Sequence, residues 1–223
     1  MKKNLLIEAL LKYLLGVLLV AGLLFIPAGT LKWRNCWIFM AILFIPMFCA
    51  GIIMYFKAPD LLRSRLDNKE KEAEQRDVIG FSAIMFISSF IVAGLNYRYK
   101  WNSLPDFVVW LGIVIFLLSY LMFAEVLREN QYLSRTIKVE EDQKVVDTGL
   151  YGIVRHPMYS ASTSLFLSMP LVLNSLFSFL IMLVYIPLIM KRIRNEEKVL
   201  EEGLPGYREY EKKVRYRMIP YIW

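Results

Sequence analysis

The sequence predicts an all-α integral membrane protein of about six transmembrane helices, the last two paired in a hairpin. Three observations predict it: the apolar content, the length of the uncharged blocks, and the alternation of basic residues between connections. Hydrophobic residues make up 57% of the 223, above the ~45–50% of soluble domains. The excess lies over residues 13–31, 35–56, 78–97 and 107–124, which carry no charge except Lys or Arg at their edges. About 20 residues at ~1.5 Å rise cross a ~30 Å hydrocarbon core. One such block could be the buried helix of a soluble core; four in so short a chain are membrane segments.

A fifth uncharged run covers residues 157–190. As a single helix it would rise roughly 50 Å, too long for one crossing. Pro170 and Asn174 lie near its middle, so the run predicts two helices turning at residues 173–175. At the other end of the chain, Glu8 and Lys12 precede the first apolar block and no small-residue cleavage pattern follows it. That block reads as a retained helix rather than a signal peptide.

Charge sets the expected orientation. Of the 27 Lys and Arg, 23 fall in the N-terminus, in residues 57–76 and 127–155, and in the tail after Met190; only Lys32, Arg34, Arg98 and Lys100 fall in the alternate connections. By the positive-inside rule both termini are expected in the cytoplasm. The net charge of +7 then belongs to a face apposed to anionic head groups, and no nucleic-acid partner is expected. Two Cys and one His make no usual zinc site, so no metal is expected. Cys36 and Cys49 read as small hydrophobes without a disulfide.

Two regions differ in character: residues 1–124, a four-helix membrane region, and residues 125–223, polar segments arranged around the apolar hairpin, together expected to form one structural unit. The link 60–76 alternates charge at helical spacing and predicts a solvated segment or short helix. Residues 135–144 predict extended pieces around a Glu140-Glu141-Asp142 turn, and 145–151 a further extended piece and a Gly turn. His156 precedes Pro157; Pro suits the first helical position and excludes its predecessor from the helix. The hairpin therefore begins at Pro157, with its free N–H groups forming an expected anion site. Its second helix should run past Pro187 and place Arg192 and Glu196, four apart, on one face. A Gly-Leu-Pro-Gly break at 203–206 should end it. Residues 207–216 then predict an amphipathic stretch with Tyr207, Tyr210 and Val214 on one face.

A hairpin brings its two polar ends together. One helix start, the only His, several Tyr and an Arg/Glu pair would thus surround a single site bordering lipid. Such a site suits a zwitterionic ligand, its carboxylate facing the helix start or a basic group and its cation facing Glu and aromatic rings. Each signal alone has an ordinary explanation: a solvated His cap, a solvated Glu-Glu face, Tyr anchors at the interface. Their joint order is more specific.

That order is VVDTGLYGIVRHPMY over 145–159, then Arg192, Glu196-Glu197, GYREY and VRYR-x-IP. It resembles the isoprenylcysteine carboxyl methyltransferase family, closest to the bacterial branch and related phospholipid methyltransferases, over about residues 125–223. The resemblance implies a methyltransferase that uses S-adenosylmethionine and acts on a lipophilic small molecule, lipid or lipidated acceptor, in a bacterial cytoplasmic membrane. It implies cofactor contacts at Gln143, Lys144, Val145, Val146, Tyr151, His156, Pro157, Met158, Tyr159 and Glu196, with Glu197 as an additional contact, and a substrate contact at Arg192. It assigns no catalytic base. Carboxylate O-methylation is the favoured reaction, with phospholipid or amine N-methylation as the alternative. Membrane sterol reductases, which use NADPH, look similar at the C-terminus. Against them, Met158 replaces an Asn, Ser160-Ala161 a Gly-Asp-like pair, and Glu196-Glu197 an Arg-Asp-Glu-like run. A non-enzymatic scaffold or channel is the third reading, and the absence of mid-membrane charges counts against conduction.

The charge split predicts that reporter fusions at the two ends both report the cytoplasm. A C-terminal fusion on the opposite side would overturn the even number of crossings.

Overall fold

The computed structural model describes residues 2–66, 73–130 and 143–223, without the side chains of residues 2, 3 and 73–77. Nine helices run through the described residues: α1 Lys2–Ala28, α2 Arg34–Lys57, α3 Pro59–Leu66, α4 Ala73–Tyr99, α5 Asp106–Glu129, α6 Pro157–Val172, α7 Leu176–Met182, α8 Tyr185–Gly203 and α9 Tyr207–Lys213, with a 3-10 turn at Gly149–Gly152. There is no strand among the described residues. Five stretches are long and apolar enough to cross a membrane: α1, α2, α4, α5, and α7 with α8 taken together.

The all-α membrane architecture is as expected, and the hairpin turns where the sequence places it. Leu173 and Ser175 flank Asn174, whose φ of 57° is left-handed, and the Ser175 hydroxyl accepts the Ser178 N–H at 3.3 Å to start α7. One expectation is refined. The sixth segment, α6, has 16 residues and rises ~24 Å, short of a full ~30 Å hydrocarbon core. Its length is fixed by Pro157 at one end and the turn after Pro170 at the other. The second arm is interrupted at Leu183–Val184, just before Pro187. That ring removes a donor and crowds the carbonyl four residues back, and three-residue bonds take over (Val184 N–H to Ile181 O, 3.1 Å; Ile186 N–H to Leu183 O, 3.0 Å).

Lipid supplies no hydrophobic driving force between helices, so close packing and buried polar contacts must hold them. Two glycines permit the closest approaches. A Cβ on Gly94 of α4 would lie 2.6 Å from the Leu24 carbonyl of α1, and one on Gly112 of α5 would lie 2.8 Å from the Leu171 Cβ of α6. These two pairs, α1 with α4 and α5 with α6, are the most extensive helix contacts. Between α4 and α7, the Ser89 and Ser178 hydroxyls meet at 2.6 Å, and Ser178 also donates to the Ser89 carbonyl at 2.9 Å.

The loops at one end of the bundle are knotted by asparagines. Asn96 donates to the carbonyls of Asn102 (3.1 Å) and Asn174 (3.2 Å) and accepts the Asn102 N–H at 3.2 Å. Asn174 accepts the Leu104 N–H, Asn102 accepts the Leu176 N–H at 2.9 Å, and Asn35 donates to Val172 O at 3.1 Å. The hairpin turn is thereby tied to the α2 start and the α4–α5 connection. The opposite end gathers α3, the 3-10 turn, the α6 start, α9 and the tail. The link 60–76 supplies α3 and the first turn of α4, with residues 67–72 outside the described residues; the expected turn at Glu140–Asp142 also lies outside them.

Asn96→Ala should lower the thermal midpoint in detergent. It removes three hydrogen bonds from a site only 3% exposed, and unmatched partners there cost about 1–3 kcal/mol. An unchanged midpoint would show that the asparagine knot does not hold the loops.

Candidate functional site

His156 is the last residue before α6 and takes extended-side backbone angles (φ −124°, ψ 60°), as the following proline requires. Its N–H is therefore free of the helix and donates to Arg217 O at 2.8 Å, while the Arg155 N–H donates to Tyr216 O at 2.8 Å. Two backbone bonds thus strap the tail across the start of α6. Ser160 adds a third tie, donating to Met218 O at 2.7 Å.

Beneath the strap lies a buried ion cluster. Glu197 of α8 is 3% exposed and Arg155 is 8% exposed. Arg155 directs Nε and Nη2 at Glu197 Oε1 (2.9 and 2.6 Å) and Nη1 at Val214 O (3.2 Å). Arg217 Nε donates to Glu197 Oε2 at 2.7 Å. His156 Nε2 lies 3.2 Å from Oε1. Glu211 of α9 stands 3.4 Å from Arg155 Nη2; burial pushes its carboxyl pKa up, and Arg155 opposes that.

One helical step away is a second group. The Tyr159 hydroxyl donates to Glu196 Oε2 and accepts from Arg192 Nε at 3.0 Å. The Tyr159 ring stacks on His156 at 5.7 Å between centroids and packs with Tyr185, Ile189 and Ile193. Arg192 and Glu196 are half-buried and meet on one side of α8, as their spacing predicts.

The flank of the site comes from residues 143–152. Residues 143–147 have no regular structure, and Val145 packs on Leu204, Tyr207, Tyr210 and Val214 at the α8–α9 turn. Those three α9-region residues share one buried face, as expected. Asp147 is tied to Lys213 at 2.7 Å, and that partner holds its carboxyl below the usual range. Tyr151 sits in the 3-10 turn, where its hydroxyl accepts from Asn130 (3.0 Å) and its carbonyl accepts from the Tyr210 hydroxyl (2.7 Å). Burial pushes the Tyr151 hydroxyl pKa up to about 12; the Asn130 bond opposes this, and the Glu196 charge adds to it.

Tyr207 stands apart. It is 4% exposed, and its hydroxyl has no hydrogen-bond partner among the described residues. Burial first, then the charges of Glu197 and Glu196, push its pKa up. An unmatched buried hydroxyl costs about 1–3 kcal/mol.

The structure therefore brings His156, Pro157, Tyr159, Arg192, Glu196 and Glu197 to one place, with Tyr151 beside them and half-buried Met158 in the first turn of α6. Gln143, Val145 and Val146 line the flank half-buried, and Lys144 is exposed. Two expectations need adjusting. Glu197, expected as an additional ligand contact, spends both oxygens on protein groups. The anion site at the α6 start is narrow, because Pro157 has no N–H and those of Tyr159 and Ser160 donate to His156 O (3.0 and 3.2 Å). Arg155, Arg217 and Tyr207 are site residues that sequence reasoning missed. The two arginines lie inside the RHP and VRYR strings, but there they count only as basic charge.

A bundle of apolar helices with Arg, Glu, His and Tyr gathered at one end of its hairpin defines a membrane protein with a polar site at the border of lipid. Residues 107–205 match the family model described as phospholipid methyltransferase, a stretch that holds both the ion cluster's Arg155 and Glu197 and the Arg192–Tyr159–Glu196 group. The match points to a membrane methyltransferase. The chain is also 32% identical over 91 residues to a Delta(14)-sterol reductase of Mus musculus; the match covers 40% of this chain and 22% of the reductase.

Glu197→Ala should sharply lower the thermal midpoint of the ligand-free protein in detergent. It leaves Arg155 buried without its counter-charge, a loss of about 3–5 kcal/mol. Glu196→Ala, at a half-buried position, should change the midpoint little. Equal midpoints for both variants would remove the structural role assigned to Glu197.

Proposed function

We propose that the protein is a membrane-embedded methyltransferase that takes its methyl group from S-adenosylmethionine and passes it to a lipophilic acceptor, with a carboxylate as the accepting group. The observation that carries this reading is the meeting of Arg192 and Glu196 on the Tyr159 hydroxyl, beside buried His156. The family match over residues 107–205 supports it. The 23-to-4 split of basic residues supports a site on the cytoplasmic face with both termini there. The regions 1–124 and 125–223 would work as one unit, α5 of the first packing on α6 of the second.

The residues present fit the cofactor. Glu196 and the unpartnered Tyr207 hydroxyl are acceptors suited to an ammonium group. Tyr151 and Tyr159 offer aromatic faces to a sulfonium, and the unpaired backbone of residues 143–146 can hold the nucleoside end. When bound, S-adenosylmethionine supplies a methyl group on a positively charged sulfur. Arg192 has its Nε on Tyr159, which leaves its terminal nitrogens turned to orient an acceptor carboxylate. An acceptor carboxylate is ionised at neutral pH and needs no general base, so the residues contribute alignment and exclusion of water.

Two findings favour other readings. The description of the matching family favours a phospholipid amine as acceptor, for which His156 or a Tyr would have to take a proton. The reductase similarity favours NADPH chemistry. Purified protein in detergent, given labelled S-adenosylmethionine with either a prenyl-thioether carboxylate or phosphatidylethanolamine, separates the first two. NADPH oxidation in the presence of a sterol diene tests the third. Methyl transfer to the carboxylate is the expected result; NADPH oxidation without methyl transfer would overturn the proposal. Arg192→Lys should leave S-adenosylhomocysteine binding intact and lower turnover on the order of a hundredfold, because an ammonium cannot reproduce the planar fork. Full turnover in the Lys variant would reduce Arg192 to an interfacial anchor.

A further inference from the structure

Tyr207 is the one buried tyrosine of the α8–α9 turn whose hydroxyl the fold does not use. Tyr210, its neighbour on the same face, donates to the Tyr151 carbonyl at 2.7 Å. Tyr207 lies outside the stretch matched by the family model, which ends at residue 205, and its side chain is 4% exposed. Buried hydroxyls almost always have partners, so an orphan in a ligand-binding region calls for one that the protein itself does not supply.

The charges around it select that partner. Glu197, Glu196 and Glu211 act on the Tyr207 hydroxyl, against the single cation Arg155. An anionic ligand group would be repelled there. Glu197 is saturated, since Arg155, Arg217 and His156 occupy its two oxygens. Glu196 is not: Tyr159 binds Oε2, and no described residue donates to Oε1. The open acceptors are therefore one carboxylate oxygen and one phenolic oxygen, both bordering the same site. A primary ammonium has three N–H donors and a compact charge, and it matches that pair.

We propose that the Tyr207 hydroxyl and the Glu196 carboxylate together hold the primary ammonium group of the methyl donor's amino-acid end. The inference rests on the methyltransferase reading and adds Tyr207 to the binding residues. It also explains why the hydroxyl is retained: a Phe would pack equally well in the cluster of Leu204, Tyr210 and Val214, but would leave the ammonium one acceptor short.

The experiment is calorimetric titration of wild type, Tyr207→Phe and Glu196→Gln with three probes: S-adenosylhomocysteine, its decarboxylated form, which keeps the amine, and 5′-methylthioadenosine, which has no amino-acid end. Both variants should bind the two amines about tenfold more weakly, as loss of a hydrogen bond to a charged group implies, and bind methylthioadenosine like wild type. The ligand-free Tyr207→Phe protein should melt no lower than wild type, because the hydroxyl it lacks had no partner. Unchanged affinity of Tyr207→Phe for both amines would overturn the contact. So would an equal loss on methylthioadenosine or a lowered midpoint, since either would mark Tyr207 as a packing residue. A wild-type protein that binds none of the three probes would overturn the methyltransferase reading, and with it this one.

Discussion

The buried carboxylate of Glu197 is the constraint on which the polar end of the molecule depends. Removing it from water costs several kcal/mol, and only close, well-directed cations return that cost. Three are supplied from separate parts of the chain: Arg155 just before α6, His156 at its cap, and Arg217 from the tail. None of these contacts can form unless both arms of the hairpin and the tail are in register. The ion cluster therefore acts as a check on assembly as well as a contact, and it explains why a segment as polar as residues 214–218 lies against helices at the edge of a membrane.

From this cluster the geometry of the neighbouring site follows. Pro157 fixes where α6 begins and puts Tyr159 within the first turn, one stacking distance from His156. Glu197, held by its cations, sets the rotation of α8. Glu196 and Arg192 then point at the Tyr159 hydroxyl because a helix places successive residues about 100° apart and the fourth back on the same face. The Glu-Glu pair thus divides its work. One carboxylate is consumed in holding the structure, and the other remains half-buried with an oxygen to spare. At the far end, the asparagine knot around Asn96 and Asn174 holds the hairpin turn, so the two arms are fixed at both ends while their lengths lie among apolar neighbours.

Much of the fold was legible in the sequence because a bilayer imposes coarse rules. Length and lack of charge mark membrane helices whatever their neighbours are, and the turn at residues 173–175 and the break at 203–206 follow from Pro, Asn and Gly acting through local backbone sterics. The shared faces of Arg192 with Glu196 and of Tyr207 with Tyr210 are properties of a single helix period. The order of motifs was sufficient to suggest a class of chemistry and a set of contact residues. What stayed hidden depends on residues far apart in the chain. Nothing local distinguishes Glu196 from Glu197: adjacent and identical in type, they differ only in which one α8 turns toward Arg155, 42 positions away. Arg155 and Arg217 read as two more basic residues of a basic face until folding buries them against one carboxylate. The shortness of α6 also emerged only from the structure, since an uncharged run does not reveal how much of it the turn and the interruption at Leu183–Val184 consume. By itself the sequence determined the number, span and sidedness pattern of the apolar helices and the local geometry of each polar segment, because those follow from neighbours in the chain and from the thickness of the membrane. Only the tertiary structure decided which charged groups are buried and paired, and which remain open to a ligand, because pairing depends on distances between segments that no local pattern encodes.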